Sequence, residues 1–280
     1  MKDVPQKPAG ATRHQRAHGE ADVALSSENG AVRLGRLYQK GSAKAFLPPA
    51  HGRRPELVFL NTSGGLTGGD RLSYGLTLGP GTAATATTQT AERIYASLGD
   101  PAEVTVRVEA GAGASLHWLP QETIVFDRAC LNRRTEIELA GDAACLMSEM
   151  LVLGREAMGE TVDAATLSDW REVRRDGRPV LIDPLKITDA VLAQRDNPAL
   201  LDSARAMALV ALVAPGAEDR LGPARDCAAD APEGVSAAVS GWDGKLVARA
   251  LGRDVQALRL LVGRLLLSMG AVSLPRVWQF

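Results

Sequence analysis

The chain has 280 residues and a formal net charge of −1, from 32 basic and 33 acidic residues. This balance gives no basic field for nucleic acid and no cationic face for a membrane, so we expect the partners to be proteins or small ligands. The apolar runs are too short to span a bilayer, the N-terminus has no hydrophobic signal core, and the three cysteines form no C-x-x-C pair. These features predict a soluble, cytoplasmic protein without a zinc ribbon or a disulfide framework.

The first 20 residues are polar, contain Pro5 and Pro8, and show no periodicity, which predicts a flexible N-terminal arm. His14 and His18 have the i, i+4 spacing of helical metal ligands, but their polar setting favours a solvated tail. We assign the rest of the chain, residues 21–280, to a single mainly-β domain.

From residue 31 onward, short segments with period-two alternation follow one another, with turn residues between them at intervals of about eight to twelve residues. In one of them Val104, Val106 and Val108 face one way, while Thr105 and Arg107 face the other. The sequence therefore predicts an all-β body with strands at Glu56–Leu60, Arg71–Leu78, Thr82–Gln89, Glu103–Glu109, Ser115–Leu119, Thr123–Phe126, Arg134–Leu139 and Ala144–Leu153.

Two Asp-Gly pairs predict hairpins in the second half of the chain. Asp176-Gly177 and Asp243-Gly244 each lie between strand-like segments, and both residue types tolerate the positive φ of a type I′ turn. Between the two pairs, the apolar segment 204–214 predicts a buried strand.

One segment is clearly helical. After Asp254, apolar residues recur at i, i+3, i+4 and i+7 spacing as far as Met269, and Gly270 provides a natural end. We expect this amphipathic helix to pack its apolar stripe on the sheet rather than on a partner. Residues 216–230 are ambiguous, because Pro223 is expected to interrupt any helix there.

Two glycine pairs and a carboxylate lie between two predicted strands. Four glycines in six residues predict a tightly folded loop that closely approaches a ligand or another part of the chain. A phosphate site is disfavoured, because no G-x-G-x-x-G or Gly-Lys-Ser/Thr pattern is present and the following residues alternate as a strand. The residues concerned are Gly64, Gly65, Gly68, Gly69 and Asp70.

The chain has no recognisable catalytic nucleophile. Ser63 lacks a G-x-S-x-G elbow, and no cysteine has a histidine close by in the sequence. The absence of such a motif disfavours an enzyme. The enzymatic interpretation stays open, because residues far apart in sequence can also assemble an active site. A hydrolase or a ligand-binding protein that uses the loop 64–70 therefore remains as an alternative.

Two further segments, 119–127 and 153–160, combine charges with glycines or apolar strand residues. In one interpretation, Arg155, which lies between Gly154 and Gly159 in sequence, pairs with a carboxylate and fixes strand register. In the other, carboxylates line an internal passage and weakly hold a divalent ion. The structural interpretation is favoured, because buried ion pairs are commonly structural. The passage candidates are Asp70, Glu122, Asp127 and Glu160.

Five motifs, in this order, resemble the urease accessory protein UreD family, also called UreH. This chain departs from the family's pattern at Thr62-Ser63, where many members have proline before the first glycine pair. The motifs are Gly64-Gly-Leu-Thr-Gly-Gly-Asp70, Gln89-Thr-Ala-Glu-Arg-Ile-Tyr-Ala-Ser97, Leu119-Pro-Gln-Glu-Thr-Ile-Val-Phe-Asp127, Leu153-Gly-Arg-Glu-Ala-Met-Gly-Glu160 and Pro275-Arg-Val-Trp278.

The resemblance implies a mainly β, β-helix-like body with a few helices. It also implies a non-enzymatic chaperone that joins a helical UreF-like protein and a UreG-like GTPase and docks on apo-urease for nickel insertion. No tightly bound cofactor is implied, and nickel would be held only transiently. If nickel passes through this protein, weak oxygen ligands suit its release, and our hypothesis is that Asp70 and Glu160 line that path.

Overall fold

Strands make up most of the chain that the structure, a computed structural model, describes: residues 15–48, 54–155 and 158–278. Within these residues one sheet has seven strands and the other has ten. In chain order the strands are β1 His18–Glu28, β2 Ala31–Gly41, β3 Ala43–Phe46, β4 Glu56–Asn61, β5 Arg71–Leu78, β6 Ala83–Thr88, β7 Glu92–Ile94, β8 Ala102–Ala110, β9 Ser115–Trp118, β10 Thr123–Val125, β11 Ala129–Leu139, β12 Ala144–Leu153, β13 Ala165–Arg175, β14 Arg178–Ile187, β15 Ala206–Val213, β16 Val235–Trp242 and β17 Lys245–Gly252.

The chain passes repeatedly between the two sheets. β4, β6, β9 and β12 run parallel in the ten-stranded sheet. Each leads into a strand of the seven-stranded sheet, namely β5, β8, β11 or β13, with the short strands β7 and β10 intervening after β6 and β9. The seven-stranded order is β14-β13-β11-β8-β5-β1-β2, and the main path of the other sheet is β16-β17-β15-β12-β9-β6-β4-β3. These stacked coils resemble a β-solenoid, which confirms the predicted mainly-β, β-helix-like fold.

The core lies between the sheets and follows from the alternation in sequence. On β8, for example, Val104, Val106 and Val108 are buried, whereas Arg107 and Glu109 are exposed. All eight strands predicted between residues 56 and 153 are present, with ends that differ by at most a few residues except at the start of β11. The earlier strands β1 to β3 were not predicted individually.

The two Asp-Gly hairpin predictions are confirmed. Asp176 and Gly177 have φ values of 49° and 75° between β13 and β14, and Asp243 and Gly244 have 45° and 71° between β16 and β17. The predicted strand 204–214 is β15, which pairs with β12 and β17.

Three α-helices occur in the described residues: α1 Asp189–Leu192, α2 Leu221–Ala229 and α3 Val255–Ser268. α3 is the predicted amphipathic helix, and the Asp254 carboxylate caps it by accepting a 2.7 Å hydrogen bond from the Ala257 amide. Leu258, Leu261 and Leu265 are fully buried in a second core on the outer face of the ten-stranded sheet, as expected for a stripe that packs on the sheet.

The expectation that Pro223 interrupts a helix is wrong. Pro223 is the third residue of α2, after the N-cap Arg220. In the first turn a backbone N–H has no intrahelical acceptor, so proline removes no helical hydrogen bond there. A proline is thus compatible with a helix that starts just before it, so Pro223 alone does not show whether residues 216–230 are helical.

The predicted arm, residues 1–20, falls mostly outside the described residues, including His14. Its last three residues belong to β1, so His18 begins a strand rather than occupying a helical metal site. None of the helices described is both long and apolar enough to cross a membrane.

Candidate functional site

The turns that lead from the ten-stranded to the seven-stranded sheet stack side by side at one edge of the molecule. We call them the corner row; within the described residues it comprises 62–70, 95–101, 126–128, 154–155 and 158–164. Four of the five sequence motifs meet in this row or end beside it. Backbone hydrogen bonds join successive corners: Tyr95 N to Leu66 O at 2.7 Å, Ser97 N to Arg128 O at 2.9 Å, and Arg128 N to Ala164 O at 2.6 Å.

The glycine loop is the first corner, and its glycines permit close contact with the second corner. A Cβ on Gly68 would lie 2.0 Å from Ser97 Oγ and 2.3 Å from the Asp100 carbonyl oxygen. A Cβ on Gly65 would lie 2.4 Å from the Tyr95 ring. The close approach predicted for this loop is therefore made to the chain itself.

The amides of the loop are directed at acceptors within the protein. The Thr67 amide donates to Asp70 Oδ2 at 2.8 Å, and the Gly69 amide donates to the Pro101 carbonyl at 2.9 Å. Gly64 and Gly69 adopt left-handed conformations, with φ of 78° and 85°. A phosphate cradle needs several amides aimed at one anion, and these amides already have other partners.

Asp70 ends the loop and is 5% exposed. Its Oδ1 accepts a 2.7 Å hydrogen bond from the Ala17 amide, and its Oδ2 accepts the bond from Thr67. The carboxylate thereby joins the first corner to the residue that precedes β1. Both oxygens have a backbone donor, which is a structural role for this side chain.

Asp127 and Glu160 meet in the third and fourth corners. Glu160 accepts a 2.8 Å hydrogen bond from Arg155 Nε, which lowers the pKa of the Glu160 carboxyl. Its other oxygen lies 3.4 Å from the Asp127 amide. Asp127 Oδ1 accepts bonds from the Ala164 and Asp163 amides at 3.0 and 2.9 Å, which lower the pKa of Asp127.

Arg155 therefore has the predicted carboxylate partner, although Arg155 and Glu160 belong to one loop rather than to two strands. The Arg155 guanidinium also lies 4.6 Å from the ring centroid of Phe126. Gly159, in the same loop, has a left-handed φ of 63°.

Glu122 lies apart from these carboxylates. It precedes β10 and lies 3.5 Å from Nη1 of Arg259 on α3, and both side chains are 15% exposed. The neighbouring Gln121 accepts a 2.8 Å hydrogen bond from Arg259 Nη2. The structure thus brings Asp127 and Glu160 together, whereas Asp70 bonds to backbone at the first corner and Glu122 pairs with α3.

Sequence reasoning missed a carboxylate next to the glycine loop. Glu92, the first residue of β7, has both oxygens 3.2 Å from the side-chain amide nitrogen of Asn61. Burial raises the pKa of Glu92 to about 7, against the opposing effect of the Asn61 hydrogen bond. Burial also raises the pKa of the neighbouring Tyr74 hydroxyl, and the Glu92 charge adds to that rise.

A buried ionic network between the two sheets was also missed. Glu149 Oε2 on β12 lies 2.9 Å from Arg133 Nη2 on β11 and 3.3 Å from Arg171 Nε on β13. Asp169 Oδ2 lies 2.6 Å from both guanidinium groups, and Asp183 Oδ2 lies 2.8 Å from Arg171 Nη1. Burial alone would raise the pKa of Asp169, but the two guanidinium groups outweigh it and hold the pKa below its usual range.

The signal for this network is present in the alternation of β11. Leu131, Arg133, Thr135 and Ile137 share the face that the pattern assigns to the core. An arginine at an inward position predicts buried carboxylate partners, since an unpaired buried charge is very costly.

Three cavities share polar lining residues, and the third is lined partly by exposed side chains such as Arg249. One of about 50 Å³ is lined by Gly64, Gly65, Asn61 and Glu92, among others. A second, of about 40 Å³, shares Glu92 with the first and also contacts Arg133 and Glu149. A third, of about 490 Å³, shares Glu149 with the second and contacts Arg171, Asp183 and Arg249.

Cysteine and metal chemistry give no further site in the described parts of the chain. Cys130, Cys145 and Cys227 are all free thiols. In residues 15–48, 54–155 and 158–278, no group of three or more His, Cys, Asp or Glu side chains is arranged to hold a metal ion.

The fold and the corner row define a class of protein, a two-sheet, solenoid-like body whose glycine-rich and carboxylate motifs are structural corners. The model of the family described as UreD urease accessory protein matches residues 17–279. The chain therefore belongs to the UreD urease accessory protein family, as the motifs predicted.

Individual relatives agree with the family match. A protein named urease accessory protein UreD from Cereibacter sphaeroides is 56% identical over 265 residues, which cover 95% of this chain and 96% of that protein. A protein of the same name from Paracoccus denitrificans is 49% identical, over 95% of this chain and 94% of its own. One from Rhizobium etli is 41% identical, over 96% and 98%.

Proposed function

We propose that this chain is a urease maturation factor required for nickel insertion into apo-urease. The observation that carries the proposal is the family match over residues 17–279, together with relatives of the same name that align over nearly their whole length. In this proposal the chain acts in the cytoplasm as a chaperone and scaffold, not as an enzyme. Its partners are a UreF-like helical protein, a UreG-like GTPase and apo-urease.

We propose further that nickel passes transiently through the interior of this chain. The supporting observation is the series of cavities in which Glu92 lines the first and second and Glu149 lines the second and third. Carboxylate oxygens bind divalent ions but release them more readily than a closed cysteine site does. The carboxylates of the corner row, Asp70 and Glu160 above all, remain candidates for the same path.

The maturation proposal is tested by co-expression with the UreF-like and UreG-like proteins and the urease subunits from the same source. The readouts are nickel content of purified urease by mass spectrometry, urease activity, and co-elution of the proteins. We expect nickel loading and activity to fall to background when this chain is omitted. Urease that fills equally well without the chain would contradict the proposal.

The passage is tested in the same system with Glu92→Gln, which keeps the shape of the side chain and removes its charge. Nickel content should fall while co-elution of the four components is unchanged. The matched control is Glu109→Gln, an exposed glutamate on β8 that lines none of the three cavities described. An Asp70→Asn, Glu160→Gln double variant tests the corner-row path separately. Normal nickel content in both sets of variants would exclude a passage and leave a scaffold.

A further inference from the structure

Four strands end the main paths of the two sheets, and three of them carry features that hinder pairing with another strand. β14 contains Pro179 and Pro184, each of which lacks a backbone N–H. β3 has only four residues, and its Ala45 amide donates to the Gln39 side chain at 3.1 Å. On β16, Arg225 Nε donates to the Val239 carbonyl at 3.3 Å. Natural proteins use such features to protect exposed sheet edges.

The fourth of these strands, β2, is neither short nor interrupted by proline, although its register with β1 shifts once, between Leu34 and Arg36. It has eleven residues without proline, and among the described residues it pairs only with β1. Most of its side chains are exposed, including Leu34 at 47%, Leu37 at 44% and Tyr38 at 43%. A long, open edge of this kind provides a row of backbone donors and acceptors for an added strand.

The two faces of β2 differ in chemistry. Leu34 and Leu37 lie opposite the buried Leu25 and Val23 of β1, so they continue the apolar face of the sheet beyond β1. Arg33, Arg36 and Lys40 lie on the other face. An added strand would therefore meet apolar side chains on one face and cations on the other, at the spacing of about 5 Å between neighbouring strands.

The charge on this face alternates from strand to strand. On β1 it is acidic, with Glu20 opposite Lys40 and Asp22 in an ion pair with Arg36. On β2 it is basic, so the complementary next strand is acidic. A second copy of β2 does not meet this requirement, because any pairing that joins the apolar faces also places the basic rows side by side.

We propose that β2 is a docking edge for strand addition, and that its occupant is an extended segment of a partner protein in which acidic and apolar side chains alternate. Backbone hydrogen bonds along the edge supply affinity, and the cation row selects the acidic sequence. This surface lies outside the cavities and does not depend on the maturation role or on nickel.

The test is backbone amide hydrogen exchange of the full chain, alone and with two synthetic probes. One peptide alternates valine with glutamate, and the other alternates valine with lysine. We expect the valine-glutamate peptide to slow exchange of β2 amides by about tenfold or more and to leave β14 amides unchanged. The valine-lysine peptide should have no effect.

Charge reversal provides a readout that a structural role would not produce. Arg33→Glu combined with Lys40→Glu should weaken the valine-glutamate peptide by about tenfold and give measurable binding of the valine-lysine peptide. Leu34→Lys combined with Leu37→Lys should abolish binding of the valine-glutamate peptide. The matched control is Ile182→Lys on the proline-containing edge strand β14, where Ile182 is 46% exposed. This variant should bind the two peptides as the unmodified chain does.

Equal protection by both peptides, or none by either, would overturn the proposal. Protection of β2 that appears in the chain alone and grows with its concentration would identify a second copy as the occupant and would equally overturn an acidic partner. Neither result bears on urease nickel loading, so the maturation proposal is tested separately, by the co-expression experiment.

Discussion

The side-chain amide nitrogen of Asn61 lies 3.2 Å from both carboxylate oxygens of Glu92, and both residues line the cavity next to the glycine loop. Because burial raises the pKa of Glu92 to about 7, this carboxyl changes its charge near neutral pH. The charge presented to the first two cavities therefore depends on pH in the physiological range.

Glu92→Gln is expected to stabilise the protein at alkaline pH. The carboxyl has its ordinary pKa of about 4.3 in the unfolded chain and a raised pKa in the folded chain, so the folded state binds more protons between these values. The stability of the unmodified protein consequently falls as pH rises through this window. The variant should gain about 3 kcal/mol at pH 8, and the gain should shrink toward pH 5.

Urea denaturation of both proteins at several pH values measures this difference. Glu109→Gln, on the exposed face of β8, should give the same stability as the unmodified chain at each pH. A Glu92→Gln gain that does not change with pH would show that the effect comes from packing rather than from ionisation.

Gly68→Ala is expected to destabilise the corner row. The new Cβ would lie 2.3 Å from the Asp100 carbonyl oxygen, a backbone atom that cannot rotate away. Separating the first and second corners should cost about 2 kcal/mol or more. The control is Gly222→Ala in α2, where the added Cβ meets no atom within 4 Å and alanine should contribute up to about 1 kcal/mol through helix propensity. Denaturation midpoints of the two variants should therefore shift in opposite directions.

Asp70→Ala is expected to release the chain that precedes β1. It leaves the Ala17 and Thr67 amides without their carboxylate acceptor, at a cost of about 2 to 4 kcal/mol. Asp70→Asn keeps one acceptor oxygen and should cost less. Asp142→Ala is the control, because its hydrogen bond to the Gly113 amide is exposed and water can replace it. Hydrogen exchange at Ala17 reports the release directly, and unchanged exchange there would contradict this role for Asp70.

The mainly-β architecture could be predicted because its determinants are local. Alternation fixes which side of a strand faces the core, and residue pairs such as Asp176-Gly177 fix where the chain turns. The resemblance added the solenoid-like arrangement. Pro223 was misjudged because its effect depends on its position within the helix, and the helix start was not visible in the sequence.

The interior could not be predicted to the same extent, because its contacts join residues far apart in the chain. Asn61 and Glu92 are separated by 31 positions, and β7 has only three residues, too few to show a period. The burial of Arg133, and its need for carboxylate partners, could be predicted from its inward position on β11. Its partners Glu149 and Asp169 depend on how the two sheets face each other, which alternation alone does not determine.

Asp169→Asn is expected to be the most destabilising of these substitutions. It removes the carboxylate shared by Arg133 and Arg171 and leaves an excess of buried positive charge, at a cost of about 3 to 5 kcal/mol. By contrast, Glu136→Ala removes the shared partner of the exposed Arg107 and Arg134 and should cost about 1 kcal/mol or less.

The pH dependence of the Asp169 effect follows from the same ion pairs. The folded state holds the pKa of Asp169 below its usual range, so its contribution to stability is complete above the ordinary pKa of about 3.9 and is lost as pH falls through the lower, folded value. The stability gap between the unmodified protein and Asp169→Asn should therefore be constant at neutral pH and narrow in strong acid. Denaturation at pH 7 and below pH 4 measures both gaps, and a gap that widens in acid would contradict an ionised, arginine-paired Asp169.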